Sequence, residues 1–310
     1  MTILDAVVQG IVQGLTEFLP VSSSGHLTIT QHIMGMTEDN LFFNVMLHLG
    51  TLVAVCAFYH KLIWRLIKAF FSMIGDIFTG KFRWKDMDDD RNMLVMLVIG
   101  LISLFLLFLP IPGTDMKVKD AAEMLGDAKY FILVGIALMI TSLLLLLGTL
   151  ASRKAASARS NGAEQNGRTR MTVLDAIVVG LVQCVAVLPG ISRSGSTLAA
   201  GQMRGINKQK ALDYTFILAI PSILAAAVLE LKDAMEAPSG ISVEILPLIV
   251  GVVIAAVVGY LSIVLFKWLL KTDKMIVFIL YTAIVGIAVV VVSIIEMQTG
   301  VNLFTGVPIM

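Results

Sequence analysis

Two short polar turns, set in otherwise apolar sequence, hold the residues of this chain that could do chemistry. The first runs Gln13-Gly-Leu-Thr-Glu-Phe-Leu-Pro20 and continues as Val21-Ser-Ser-Ser-Gly-His26. An ionisable group placed in hydrocarbon costs about 2.5–3.5 kcal/mol on insertion scales, so Glu17 is a functional candidate by default. Gln13 and Glu17, four apart, share one face of a helix. They offer three oxygens and an amide to a common point, a set suited to a hard divalent cation or to positioning water. Ser22, Ser23, Ser24 and His26 add hydroxyls, backbone N–H groups and a candidate nucleophile or acid–base. A structural reading stands beside this one, in which Glu17 caps a turn or pairs with a buried arginine and His26 is a satisfied core residue.

The second turn is Pro189-Gly-Ile-Ser-Arg-Ser-Gly-Ser-Thr197, and Arg193 is the only basic residue between Arg170 and Arg204. A guanidinium is permanently charged and forks onto phosphate oxygens. Ser192, Ser194, Ser196 and Thr197, with the glycine-rich backbone, make an anion nest at the start of a half-helix. The structural alternative is an Arg193–Glu17 pair that only locks the two turns together. One turn brings a carboxylate and an imidazole, the other a cation and hydroxyls. The combination matches displacement at phosphorus, which needs charge stabilisation, a positioned nucleophile and relief of the leaving group. His48, in Leu47-His-Leu-Gly-Thr51, is a further candidate for contact with the site or for a structural role. Its counterpart region Leu218-Ala-Ile-Pro-Ser222 is expected to interrupt a helix. Asp5 and Asp175, at equivalent places near helix starts, are read as structural, and His32 and His60 as interface or loop residues.

The elements that must position these turns repeat. With an offset of 170, 12 of the 27 residues from Met1 to Leu27 recur at Met171 to Thr197. Composition fixes the setting: 57% hydrophobic and 15% charged residues, with a mean hydropathy of +0.90, describe a polytopic membrane protein and not a soluble domain. Six runs are apolar and long enough to cross about 30 Å of hydrocarbon, near Leu41–Tyr59, Met93–Leu109, Tyr130–Leu150, Tyr214–Leu229, Ile245–Phe266 and Met275–Ile295. Segments 1–36 and 171–205, broken by Pro, Gly and Ser, are predicted as re-entrant helical hairpins, because irregular backbone at membrane depth needs protein or a wet cavity around it. The expected fold is all-α, a single membrane domain over 1–310, with repeat one at 1–150, a linker at 151–170 and repeat two at 171–310.

Segments 60–92, 151–170, 201–213 and 267–274 carry 18 of the 23 Lys and Arg residues. Positive loops mark the cytoplasmic side, which puts both termini outside and inserts the two repeats with opposite orientation. The linker reads as flexible, Asp86–Asp90 as a solvated acidic loop, and Trp64, Trp84 and Trp268 as interfacial anchors. Cys56 and Cys184 lack any metal or redox spacing and are expected as free thiols. The N-terminus shows no basic region followed by a cleavage site, so no removable signal peptide is expected. Inverted repeats with broken helices are also a transporter architecture. The rival to an enzyme is therefore a transporter or flippase of a lipid carrier, which would need the phosphate clamp but have no use for Glu17 with His26.

The two long motifs, in this order, with the Leu47-His-Leu-Gly-Thr-Leu stretch and the repeat spacing, closely resemble the signatures of the bacitracin-resistance family of undecaprenyl pyrophosphate phosphatases. The resemblance covers essentially the whole chain. It implies hydrolysis of undecaprenyl pyrophosphate to the monophosphate, recycling the lipid carrier for cell-wall synthesis, in a bacterial inner membrane. The resemblance carries over onto Glu17, Ser22, Ser23, His26 and Arg193, so that with the hydroxyls of the two turns the expected catalytic residues are Glu17, Ser23, His26 and Arg193 and the expected substrate-binding ones Ser22, Ser24, Ser192, Ser194 and Thr197. It also implies a divalent cation, Mg²⁺ or Ca²⁺, on Glu17. The family's first motif begins with Glu or Gln, so Gln13 here either joins the cation or orients the attacking water. The expected partners are the lipid pyrophosphate and the bilayer, with no nucleic acid, and a homodimer is compatible with the chain.

Overall fold

The computed structural model describes residues 2–36, 41–125, 131–157, 167–236 and 244–308. Twelve α-helices carry the described chain: α1 (Ile3–Phe18), α2 (Ser23–Met34), α3 (Leu41–Phe58), α4 (His60–Phe78), α5 (Asp89–Ile102), α6 (Val118–Met124), α7 (Phe131–Ser157), α8 (Val173–Val185), α9 (Arg193–Met203), α10 (Lys208–Glu236), α11 (Ile245–Lys271) and α12 (Ile276–Thr299). A 3-10 turn at Ser103–Phe108 extends α5. Five of these stretches are long and apolar enough to cross a membrane, and α3, bent by 80° from α4, makes up to a sixth. This is an all-α polytopic membrane protein.

The sequence repeat becomes a structural one at the first turn of each hairpin. Thr2 Oγ1 accepts from Asp5 N–H at 3.1 Å while the Asp5 carboxylate accepts from Thr2 N–H at 2.8 Å. Thr172 and Asp175 form the same capping box, which satisfies helix-end donors reciprocally. Asp175 has a second task, because Arg168 and Arg204 both grip its buried carboxylate at 2.9 Å. Both aspartates are therefore structural.

Glycine contacts give the helix directions. A Cβ on Gly10 would meet Gly251 and one on Gly14 would meet Ala255 and Gly259, while Gly251 faces Phe43 and Leu47 and Gly259 faces Thr51 and Ala54. Helices α1, α3 and α11 thus run parallel. Asn92 bonds Met171, Gly100 faces Ala176, and Ser103 accepts from Cys184, so α5 and α8 run parallel too. Tyr214 donates to the Met96 carbonyl at 2.7 Å and Leu218 lies against Gly100, which adds α10 to that set. Tyr59 meets Asp213 at one end of α3, whereas His48, a third of the way along it, shares a cavity with Ala227 of α10. The two sets are antiparallel, so the hairpins enter in opposite senses. Each hairpin also packs on a helix of the other half, α1 on α11 and α8 on α5.

The halves cross at Gly135 of α7 and Gly286 of α12. A Cβ on either would lie 2.8 Å from the other's carbonyl oxygen. Small residues let membrane helices approach this closely, and packing replaces the hydrophobic drive that lipid removes. Gly286→Ala is expected to destabilise the protein by about 1–3 kcal/mol through overpacking, read as a lower melting temperature in detergent, whereas Ala at the open Gly75 should leave it unchanged.

Three expectations are corrected here. The segment after Tyr59 is not a loop. It forms α4, with Leu66 and Ala69 buried, Trp64, Ile67, Phe70, Phe71 and Phe78 exposed, and Lys61, Arg65 and Lys68 along an adjoining face, Lys68 Nζ 5.5 Å from the centre of the Trp64 ring. That is the pattern of a helix lying in the interface, and its basic residues made it read as a loop. Helix α10 continues unbroken through Pro221, and α3 continues through His48. Membrane helices tolerate an internal proline, and Ser222 Oγ, one residue on, donates to the Leu218 carbonyl at 2.8 Å. The linker begins late, since residues 151–157 still belong to α7, and 158–166 lie outside the described residues. Trp64, Trp84 and Trp268 are exposed, and Cys56 and Cys184 are free thiols.

Candidate active site

The two polar turns meet. Pro20 and the φ 93° glycine Gly190 occupy equivalent positions, as do Gly25 and Gly195. A Cβ on Gly25 would lie 3.1 Å from Gly190 Cα, and one on Gly195 would lie 3.1 Å from Pro20 Cβ. The contact is reciprocal, as at an interface with a two-fold axis. Helices α2 and α9 both start there. Ser22 caps α2, its Oγ accepting from Gly25 N–H at 3.3 Å, and Ser192 caps α9, its Oγ accepting from Gly195 N–H at 3.1 Å. Two helix N-termini with their free N–H groups therefore converge on one place, a setting that favours anions.

The first helical residues of α2 and α9 are Ser23 and Arg193, and both reach Glu17. Arg193 Nη2 donates to Glu17 Oε1. Ser23 Oγ donates to Oε2 at 2.6 Å and Gln13 Nε2 to the same oxygen at 3.1 Å. The Glu17 side chain is 2% exposed and that of Arg193 26%, so the guanidinium is the member open to an incoming ligand. Ser22 holds φ 75°, ψ 102°, a conformation that costs a non-glycine residue on the order of 1–3 kcal/mol and clusters at functional sites. Its counterpart Ser192 has φ −71°. The strain lies in the turn that aims Ser23.

A cavity of about 200 Å³ opens here, lined by Glu17, Ser22, Ser23, Ser24, Ser192, Arg193, Ser194 and His48, with an apolar wall from Ile223, Ala226 and Ala227 of α10. Among the residues expected from sequence, Glu17, Ser22, Ser23, Ser24, Ser192, Arg193 and Ser194 come together. His48, a second-rank candidate, also reaches the cavity, its Nε2 3.7 Å from Glu17 Oε2.

Four expected residues do not line it: the buried Gln13 and Ser196, and His26 and Thr197. The His26 ring is buried beneath the turn, with Nδ1–H donating to the Ser22 carbonyl and Nε2 accepting from the Tyr281 hydroxyl, both at 2.8 Å. It stacks on Tyr281 and braces the strained Ser22 backbone. Thr197 Oγ1 donates to the Arg193 carbonyl at 2.8 Å and faces its own helix. Two supports had no sequence signal. Thr141 of α7 accepts from Ser192 N–H at 3.0 Å and donates to the Gly190 carbonyl at 3.3 Å, holding the second turn, while Tyr281 of α12 holds His26. Both contacts are long-range, and no local pattern announces them.

For a cation, the protein offers the Glu17 carboxylate and Gln13 Oε1, which is buried with no hydrogen-bond partner and belongs to the carboxamide already bonded to Glu17. Oxygen donors of this kind fit a hard divalent ion. Among the described residues no group of three or more His, Cys, Asp or Glu side chains forms a closed metal cage, so substrate oxygens would have to complete the shell. The acidic run Asp86–Asp90 is spent otherwise: Asp88 caps α5 and Asp90 pairs with Arg65.

Residues 6–288 match the family model described as bacitracin resistance protein BacA. The chain is 37% identical over 298 residues to a protein of Alkaliphilus metalliredigens named undecaprenyl-diphosphatase, covering 94% of this chain and 99% of that one. It is 34% identical to a protein of the same name from Methanosphaera stadtmanae, over 95% and 99% of the two chains. A Treponema denticola protein, also so named, is 36% identical over 93% and 96%.

Proposed function

The chain belongs to the bacitracin resistance protein BacA family, and from that membership we propose how its two turns work. The protein is an enzyme, an undecaprenyl-diphosphatase, that hydrolyses undecaprenyl pyrophosphate to undecaprenyl phosphate and inorganic phosphate within the membrane. The transporter reading is not favoured. The observation that carries the mechanism is the convergence of Ser23 and Arg193, first residues of two equivalent helices, on the two oxygens of Glu17.

Arg193 leaves Glu17 Oε1 to fork onto the terminal phosphate, where the Ser192, Ser194 and Ser24 hydroxyls and the N-termini of α2 and α9 add donors. A divalent cation such as Mg²⁺ or Ca²⁺, held by Glu17 and Gln13, would supply further charge stabilisation to the pyrophosphate oxygens. Ser23 Oγ attacks the terminal phosphorus and its proton passes to Glu17 Oε2, 2.6 Å away. The bond from phosphorus to the bridging oxygen breaks, and undecaprenyl phosphate departs with the electron pair and, through the cavity, the proton from Glu17. A water then loses a proton to Glu17 as its oxygen attacks the phosphoserine. Ser23 Oγ leaves, regains that proton and releases inorganic phosphate. Holding the charged groups before reaction is the main source of rate in such sites. His26 acts in this scheme as the brace of the Ser22 carbonyl, and the apolar α10 wall faces the start of the isoprenoid chain.

Quenching a reaction with terminally labelled undecaprenyl pyrophosphate is expected to leave acid-stable label on Ser23. Ser23→Ala should lose the label and turnover by more than ~10³-fold, as loss of a nucleophile does. Turnover by Ser23→Ala within tenfold of the wild type would instead assign the attack to water. Metal-dependent phosphate release by the purified protein, abolished by chelator, is expected in the same assay.

The bias of basic residues to 60–92, 151–170, 201–213 and 267–274 supports a cytoplasmic position for those segments. Both termini and the mouth of the first hairpin then face outward in a bacterial inner membrane.

A further inference from the structure

We propose that α4 is a docking surface for anionic phospholipid, a diacyl lipid such as phosphatidylglycerol whose headgroup carries net negative charge. Helix α3 runs parallel to the spanning helix α11, and α4 departs from it by 80°, so α4 lies along the membrane plane. It starts at the end of α3, about 15 Å of helix beyond His48, which sets this surface apart from the cavity. Leu66 and Ala69 fasten one face of α4 to the protein, while Trp64, Ile67, Phe70, Phe71, Ile77 and Phe78 are exposed. An apolar face of this breadth on an in-plane helix is covered by acyl chains.

The charges of α4 are divided in a way that selects the headgroup. Those on the flank towards α5 are paired within the protein, Arg65 with Asp90 at 3.3 Å and Asp76 with Arg91 at 2.6 Å. Lys61 and Lys68 are exposed and have no ion pair among the described residues. They stand two turns apart on one stripe of the helix, with Trp64 between them and Lys68 Nζ 5.5 Å from the centre of its ring. A tryptophan ring takes the level of the headgroups, and a lysine stem carries its ammonium out of the apolar surface to the same level. The chain that leaves α4 continues the pattern, with Lys81, Arg83 and Lys85 alternating with Phe82 and Trp84. Of these three cations, Arg83 alone has a carboxylate partner among the described residues, Asp86 at 3.9 Å. Uncompensated ammoniums along the polar edge of an apolar helix complement a lipid phosphate that bears no cation of its own. A zwitterionic headgroup brings its own cation and gains little. Each lysine at such a surface is worth roughly fivefold in lipid affinity.

The test uses the full chain in phosphatidylcholine bilayers, with Trp84→Phe and Trp268→Phe leaving Trp64 as the reporter among the chain's three tryptophans. Lipids brominated in the acyl chains quench a tryptophan that they touch. At low salt, brominated phosphatidylglycerol is expected to compete for the Trp64 surface at least ~5-fold better than brominated phosphatidylcholine, and the preference should fall in high salt. Lys61→Gln with Lys68→Gln should abolish the preference while keeping the melting temperature. Equal quenching by the two lipids in the protein with its native lysines, or none by either, overturns the proposal, and neither result depends on the lysine variant folding. An unchanged preference in a folded Lys61→Gln, Lys68→Gln protein overturns it as well. Loss of the preference on adding one undecaprenyl phosphate per protein would assign the surface to that lipid instead.

Discussion

Glu17→Gln is expected to abolish phosphate release, with a loss of at least ~10³-fold in kcat and little change in protein yield. The replacement keeps the shape and removes both functions of the carboxylate. A general base of this kind contributes about 10²–10⁴-fold, and here the same group also sets the position of Ser23 and Arg193. The carboxylate accepts from Arg193, Ser23 and Gln13, whereas a carboxamide has one oxygen to accept with and turns an NH₂ towards one of those donors. Ser23 loses its acceptor or Arg193 loses its partner. Breaking a buried ion pair from one side costs about 3–5 kcal/mol, and the partial exposure of Arg193 puts the expected cost below that range. Thermal melting in detergent separates the two effects. A folded Glu17→Gln protein that turns over within tenfold of the wild type would remove Glu17 from the mechanism.

Arg193→Lys and Arg193→Ala are expected to form a graded pair. Lysine keeps the charge and loses the planar fork, so it should bind the pyrophosphate as a point charge and fall by about 10²–10³-fold in kcat/KM. Alanine should fall further and also destabilise the fold, because Glu17, 2% exposed, then faces the cavity without its ion partner. The double variant Glu17→Gln with Arg193→Ala is expected to melt higher than Arg193→Ala alone and to be no less active, since groups acting as one unit are strongly non-additive. Additive losses across that cycle would mean that the two residues do not share a site. A rise in KM with kcat unchanged for Arg193→Lys would confine the guanidinium to ground-state binding.

Glu17 and Arg193 both stand out in the sequence itself, and the reason is physical. A carboxylate and a guanidinium are costly in hydrocarbon, so Glu17 and Arg193 are conspicuous in the middle of apolar runs. Prolines, glycines and hydroxyls interrupt a membrane helix only where something else satisfies the backbone, so the turns at Ser22–Ser24 and Ser192–Ser194 announced the hairpins. His26 stood out by the same reasoning and was misplaced by it. Its position two residues after the serines says that it is near the turn, while the rotation of α2 sends its ring below the turn to Tyr281. Thr197 likewise shares the polar motif but lies one helical turn past the cap, where its hydroxyl meets its own carbonyls. Helix α4 was hidden because its charge, read as a loop signal, lies along one flank of a helix whose other flank is apolar.

Composition, the 170-residue repeat and the alternation of basic segments determined by themselves an all-α membrane protein with five or six spans, two hairpins and a Glu, Ser and Arg constellation shared between them. These are properties of transfer free energy and local backbone preference, which act residue by residue. Tertiary structure alone decided that Ser23 and Arg193 face one carboxylate, that His48 joins them from α3, that His26 and Thr197 turn away, and that Thr141 and Tyr281 hold the turns. Those choices depend on how far each helix is rotated and how closely it approaches its neighbour, which are set by packing between residues more than a hundred positions apart.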